Sequence, residues 1–392
     1  MRSAKIVIIG GGVAGASAAY HLALSGESDV VLLERGSMQG TGSTGRATGG
    51  VREQFGTEIN IRMSMYSIDF FRNCGFHTGY DPKGYLFFAT EPSVLEQLKR
   101  NAEIQAAVGV KGIEILGQDE IKRRIPEMTC EDIIGGTFGP RDGFIDPVAV
   151  LRGFSKVATD RGARIELGQT AVRINVSGGR VNSVSTNNGD IGCDAAIVCT
   201  GAWTRELAAT AGVDIPVEPL RRQIVWARCE QDIPADLPMV IDAGSGFHFR
   251  PAVDFWEQDA KDVSVRDVLF AYPDRGEPPS FNAEFDAAFA DKVYELARRR
   301  AQFLFESTPV AAKCRAGLYE NTPDHHAILG GCGVDGLYFS TGFSGHGVMH
   351  SPASGRAISE IVLDGEASFL DVSCLSLERF ERGELLHETG YI

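Results

Sequence analysis

Lys5-Ile6-Val7-Ile8-Ile9-Gly10-Gly11-Gly12-Val13-Ala14-Gly15-Ala16-Ser17-Ala18-Ala19 is the stretch that decides the fold. Residues 5–9 are a short β-branched run, which by type and length predicts a buried strand. Glycines follow, and an alanine-rich helix is expected over residues 13–24, stopped by Gly26. A second buried strand is expected at residues 30–34. Strand, helix, strand in this order demands a parallel sheet. Gly10, Gly12 and Gly15 match the pattern G-x-G-x-x-G, and each has a physical task. Gly10 permits the tight turn, Gly12 lets backbone approach a pyrophosphate, and Gly15 lets the helix lie close to the sheet. Val13 and Ala14 open the helix, whose free N–H groups and positive end suit phosphate. Glu34 closes the second strand, where a carboxylate accepts hydrogen bonds from ribose hydroxyls. It disfavours a 2′-phosphate, an effect that the adjacent Arg35 tempers. A dinucleotide is therefore expected.

The turn alone does not separate NAD from FAD. Three later segments bear on that choice. Gly42-Ser43-Thr44-Gly45-Arg46 is rich in backbone donors and hydroxyls, and Gly50 follows it. Val198-Cys199-Thr200-Gly201-Ala202-Trp203 runs from a strand into a small-residue turn. Gly342-Phe343-Ser344-Gly345-His346-Gly347, continued by Val348 and Met349, reads as a strand-to-helix turn whose helix is expected from about Ser351. Ser344 is no hydrolase nucleophile, because His346 stands where the elbow G-x-S-x-G needs its last glycine.

The chain has 392 residues, enough for two domains, with 43% hydrophobic and 23% charged residues. Its formal net charge of −14 argues against nucleic acid or an anionic membrane as partner. Met1-Arg2-Ser3-Ala4-Lys5 enters an apolar run at once, without the h-region of a secretory signal. No apolar run approaches the roughly 20 residues that span a bilayer. The eight scattered cysteines show no C-x-x-C, which predicts reduced thiols in a cytoplasmic protein. Further helices are expected at residues 59–73, 91–108, 147–161 and 282–305. An antiparallel sheet is expected within residues 216–272, with a charged loop or hairpin tip at 254–267.

With these segments in order, the sequence resembles the D-amino-acid-oxidase family of flavoproteins, and within it the sarcosine oxidase, dimethylglycine dehydrogenase and glycine oxidase branch. The resemblance is carried by the first turn, by residues 42–52 and 198–203, by Gly317-Leu318-Tyr319-Glu320-Asn321-Thr322-Pro323-Asp324, and by residues 342–355. It implies an α/β, Rossmann-like FAD-binding domain on a parallel sheet, with an inserted α+β substrate domain on a mixed, largely antiparallel sheet. The implied division is 1–83, 147–215 and 320–392 for FAD, and 84–146 and 216–319 for substrate. Val172 joins the implied cofactor residues.

The implied chemistry is oxidation of the C–N bond of a small amino acid or N-substituted amino acid. Hydride passes to the flavin, the imine is hydrolysed, and electrons go to oxygen or another acceptor. Arg52 matches the position that binds the substrate carboxylate in sarcosine oxidases, and a guanidinium can do so with two parallel hydrogen bonds. The alternative is a surface pair with Glu53 or Glu58. The lysine that assists in monomeric sarcosine oxidase falls at Met349, so Arg250 is a candidate substitute, with a structural arginine on a strand as the equal alternative. Tyr319 stands where glycine oxidase and D-amino-acid oxidase carry an arginine, which points to secondary amines. His346 is expected in the active site without assignment as a base. The cysteine that attaches FAD in monomeric sarcosine oxidase falls at Gly317, so non-covalent FAD is expected. Its oxygen-activating lysine falls near Leu269. Two rival readings remain: a flavin dehydrogenase for 2-hydroxy acids, and a flavin subunit of a larger electron-transfer complex.

Overall fold

The computed structural model describes residues 2–234, 236–252 and 266–390. Most of the charged stretch 254–267 lies outside them; its last residue, Asp267, begins a strand.

Ile6–Ile9 and Val30–Glu34 are strands joined by the helix Val13–Leu24. They sit inside a six-stranded sheet whose order is Ile328–Gly331, Leu337–Thr341, Ala195–Val198, Ile6–Ile9, Val30–Glu34, Arg164–Leu167. Every pair is parallel except the first. Both faces of its central strands are buried, which explains their unbroken apolar runs. One face is covered by the first helix, with Ala18, Ala19 and Leu22 on Ile6, Ile8 and Ile197. The other face meets a four-stranded sheet that includes Ala171–Ser177 and Arg180–Thr186. Against the first helix lies a long C-terminal helix, Gly347–Asp364. A Cβ on Gly355 would come within 2.1 Å of Ser17 Oγ, so glycine sets the closeness of this crossing. Ser17 Oγ also donates to Ser351 O at 2.7 Å.

The second large sheet has nine strands drawn from residues 85–139 and 218–321. It is mostly antiparallel, but Tyr85–Ala89 pairs parallel with Met239–Asp242. Alternation along each strand separates its two faces. Leu86, Phe88, Val225, Val240, Phe249 and Phe270 turn away into a core with Phe289 and Val293 of the helix Ala287–Ala297. Tyr85, Met239, Ile241, Ile224 and Ala271 turn the other way, toward the parallel sheet's glycine-rich turns.

Two expected helices differ from the structure. Residues 282–305 form two helices, Ala287–Ala297 and Gln302–Phe305. Between them Arg300 is buried, pairs with Asp132 at 2.7 Å, and gives its carbonyl to Thr129 N, so neighbours capture the backbone there. The C-terminal helix begins at Gly347, four residues before Ser351. Pro352 suggests a first-turn position but lies inside. The donor it lacks would serve the carbonyl of Val348, which accepts from Ser351 Oγ at 2.8 Å instead. Among the described residues no helix is long and apolar enough to cross a membrane.

Candidate active site

The first turn shows what each glycine is for. Gly10 has φ +112°, and a Cβ there would lie 2.3 Å from the carbonyl oxygen of Cys199. A Cβ on Gly15 would meet the oxygen of Gly10 at 2.0 Å, so this residue serves packing. A Cβ on Gly12 would touch only Thr44 Oγ1, at 3.4 Å, and one on Gly42 would touch nothing. Both glycines line a cavity of about 770 Å³. Gly12 is also the N-cap of the first helix and supplies no side-chain cap. Thr44 Oγ1 takes the N–H of Val13 at 3.1 Å. The other first-turn donors have no intrahelical partner. An open cradle at a helix start is the donor set that a pyrophosphate needs.

Glu34 closes its strand as expected for ribose recognition, with its carboxylate accepting from the N–H of Gly11 at 3.1 Å and of Gly36 at 2.7 Å. Arg35 lies 3.7 Å over the Trp203 ring. From this end, beside Val172, the cavity continues past Thr200, Gly201, Ser43 and Arg46 to Gly50 and the turn at 345–349. Of the residues expected at the cofactor, Gly10, Gly12, Val13, Ala14, Glu34, Arg35, Gly42, Ser43, Thr44, Arg46, Gly50, Val172, Thr200, Gly201, Trp203, Gly345, His346, Gly347, Val348 and Met349 line this cavity. Gly15, Gly342 and Ser344 do not. Gly342 has φ +71° and sits against Thr322, and Ser344, at φ +50°, accepts from Thr322 N at 3.2 Å. Both shape the turn from behind.

The far end of the cavity gathers Arg52, His346 and Tyr319. Arg52 is 3% exposed. It donates to the carbonyls of Gln54 at 2.6 Å and Gly390 at 2.8 Å, and lies 4.0 Å over the Phe55 ring. It pairs with neither Glu53 nor Glu58. Glu53 is itself buried near Arg141, and Glu58 pairs with Arg62. Among the described residues no carboxylate lies within ion-pair distance of Arg52. Burial pushes its pKa down from the usual arginine value. His346 is the N-cap residue of the C-terminal helix, and burial together with the Arg52 charge holds it well below the ordinary histidine pKa. The Tyr319 ring covers Gly345 so closely that a Cβ there would come within 2.4 Å of it.

Arg250 follows the structural alternative and not the substrate-binding one. It does not line the cavity. Nη1 donates to the Pro251 carbonyl at 2.9 Å, Nη2 donates to the Thr48 carbonyl, and the guanidinium lies 4.5 Å over Phe144. Its work is to hold the backbone behind the cofactor loop. Leu269 points into a small apolar core with Ile224 and Trp226.

Sequence reading passed over Tyr85, Arg222, His248 and Glu320, which also line the cavity. Strand alternation could have found the first three, had the strand registers been known. Glu320 accepts from Thr341 Oγ1 at 2.8 Å, and burial raises its pKa. The segment ending at Gly390 carried no signal. Glu388 fixes it by accepting from Gly56 N, Thr57 Oγ1 and Asn60 Nδ2 at 2.6–2.9 Å.

A glycine cradle at a helix start, a carboxylate closing the second strand and a buried cation at the far end fit the binding of a dinucleotide. Residues 5–361 match the sequence model of the FAD dependent oxidoreductase (DAO) family, and the chain belongs to it. FAD-dependent oxidoreductase domain-containing protein 1 of Xenopus laevis is 31% identical, covering 99% of this chain and 85% of that protein. The 4-methylaminobutanoate oxidase (formaldehyde-forming) of Paenarthrobacter nicotinovorans is 28% identical over 96% of this chain and 45% of its own length. The crystal structure of L-proline dehydrogenase from P. horikoshii superposes with a TM-score of 0.88, 28% identity, and coverage of 98% and 100%. The chain is thus an FAD-dependent oxidoreductase of the family that oxidises amino acids and N-methyl amino acids.

Proposed function

We propose that this enzyme oxidises the C–N bond of a small secondary amino acid whose carboxylate is held by Arg52. The observation that carries the reading is the buried Arg52 guanidinium at the cavity wall, without a carboxylate of the chain in ion-pair distance among the described residues. A buried charge is costly unless paired, and a substrate carboxylate supplies the missing partner through charge-assisted hydrogen bonds. The names of two relatives, an L-proline dehydrogenase and a 4-methylaminobutanoate oxidase, denote oxidation of secondary amines.

Bound FAD supplies a two-electron hydride acceptor. The chain's own groups do the rest. Gly347 and Val348 begin the C-terminal helix at the cavity, and its free N–H groups would stabilise negative charge on a flavin held there. Arg52 fixes the carboxylate and so orients the carbon next to nitrogen. Met239, Ile241, Ile224 and Ala271 give that end an apolar wall that excludes water. The substrate loses a hydride from carbon and a proton from nitrogen; water then adds to the imine and splits it into carbonyl compound and amine. His346, held neutral, keeps the pocket from acquiring a second charge beside Arg52. The reading includes non-covalent FAD, since Gly317 lines the cavity where a linking cysteine would be needed. It also includes the division into FAD and substrate domains given above, and a cytoplasmic enzyme with all eight cysteines unpaired. Oxygen and a separate acceptor both remain compatible with the site.

The test is an anaerobic screen of holoenzyme with amines and 2-hydroxy acids, watching flavin absorbance. Bleaching by secondary amino acids is expected. Bleaching by hydroxy acids alone would replace this reading with the hydroxy-acid one. Turnover that needs co-purifying chains would favour an electron-transfer subunit.

A further inference from the structure

Arg222 lines the same cavity as Arg35, Arg46 and Arg52, and the oxidation of an amino acid held by Arg52 leaves it without a task. It belongs to the strand Glu218–Arg228, opposite Gly317, and shares its face with Ile224. Its guanidinium lies 5.6 Å from the centre of the Tyr319 ring. Among the described residues its only hydrogen bond is Nη1 to the Arg221 carbonyl, at 3.3 Å, and its buried Nε has no partner. Nearby acids are committed elsewhere: Glu277 takes Arg221 through two bonds, at 2.9 and 3.0 Å, and Asp274 takes Lys292 at 2.7 Å. Among the described residues Arg222 has no ion pair. In a chain of net charge −14 an unpaired, half-buried arginine is unusual company for an apolar wall. Arg222, Arg52 and the Tyr319 ring line one cavity, and both charges act on Tyr319, so a molecule beside that ring has two cations within reach.

We propose that the substrate is dianionic: a secondary amine bearing, besides the carboxylate on Arg52, a second carboxylate that pairs with Arg222 across Tyr319. The second group sits either on the nitrogen substituent, as in an iminodicarboxylate, or at the end of an acidic side chain. This rests on the amino-acid reading and narrows it. A guanidinium takes a carboxylate through two parallel hydrogen bonds, and among the described residues Nε and Nη2 of Arg222 are not engaged in any.

The experiment titrates holoenzyme with non-oxidisable ligands and reads the flavin absorbance change. Glutarate and succinate are compared with their half-amides in wild type, Arg222→Met and Arg222→Lys. In wild type the diacid binds tighter than its half-amide by about tenfold or more, the size of one charge-assisted contact. That ratio falls close to one in Arg222→Met and takes an intermediate value in Arg222→Lys. A ratio near one in wild type, a ratio unchanged in Arg222→Met, or loss of flavin from both variants overturns the proposal. A kinetic arm compares kcat/KM for iminodiacetate and N-methyl-L-glutamate with that for sarcosine and L-proline. A preference for diacids is expected, and which diacid is preferred locates the second group. Equal use of mono- and diacids overturns the proposal and leaves amine oxidation standing. No flavin reduction by any amine, with the diacid ratio intact, removes the oxidation reading alone.

Discussion

Arg52 Nη2 lies 3.5 Å from His346 Nε2, although 294 residues separate them in the chain. A guanidinium has only hydrogens to offer, so Nε2 faces it with its lone pair. The contact, the burial and the helix start all oppose a proton on that nitrogen. His346 is therefore a neutral neighbour of Arg52. A pH profile of kcat/KM checks this. Any acid limb of the wild type should persist in His346→Gln; its disappearance would make His346 the titrating base.

Removing the Arg52 charge should weaken turnover of a carboxylate substrate. A charge-assisted hydrogen bond contributes roughly 1.5–3 kcal/mol, and each 1.36 kcal/mol is a factor of ten. Arg52→Met should lower kcat/KM by about tenfold or more, and Arg52→Lys by less, because it keeps charge and loses the fork. The amide analogue of the substrate should be nearly indifferent. Equal losses for acid and amide would show that Arg52 shapes the flavin surroundings instead.

Glu388 is expected to act on the same site from a distance. Its carboxylate fixes the segment whose Gly390 carbonyl accepts from Arg52. Glu388→Ala should release that anchor and raise KM for the carboxylate substrate, while flavin content stays normal. An unchanged KM would confine Glu388 to local structure.

Gly12→Val places a branched side chain in the open cradle, where only Thr44 Oγ1 is near. The chain should fold and lose FAD, read as a normal far-ultraviolet spectrum with no flavin absorbance. In the unaltered protein, acid should release all the flavin. Normal flavin content in the variant would remove the turn from the cofactor site, and flavin retained on denatured chain would mean a covalent bond.

His21 sets a pH dependence of stability. It is buried between Tyr20 and Phe154, its Nδ1 is 2.9 Å from the Ser17 carbonyl, and burial lowers its pKa from 6.5 to about 4. The unfolded chain thus binds the proton more readily, and stability falls as pH drops from about 6.5 toward 4. The full effect is about 3 kcal/mol, from 1.36 kcal/mol for each unit. Urea unfolding of His21→Gln should show a shallower loss over that window. A slope equal to that of the wild type would assign the effect to other groups, such as His350, whose pKa burial also lowers, to about 3.

The sequence by itself determined the parallel-sheet half of this protein. Residues 5–34 carry their own instructions, because a buried strand, a glycine turn and a helix start are each set by neighbours within a few residues. Gly10 and Gly12 could be assigned separate tasks for that reason. Segments 42–50, 198–203 and 345–349, assigned to a cofactor from composition and resemblance, each contribute residues to the cavity wall, while Gly15, Gly342 and Ser344 stand behind it. Tertiary structure alone decided the far end of the cavity. Whether Arg222, His248 or Arg250 faces the cavity depends on strand register and on what lies above each side chain, and a slip of one residue reverses every face. Arg250 meets the Thr48 carbonyl and Phe144, which no local pattern foretells. Arg52 could be named from its place after the loop, yet its partners, His346 and the Gly390 carbonyl, come from the last fifty residues. Such contacts join distant parts of the chain only after both sheets have formed, because the energy that sets them is that of burial and not of local sequence.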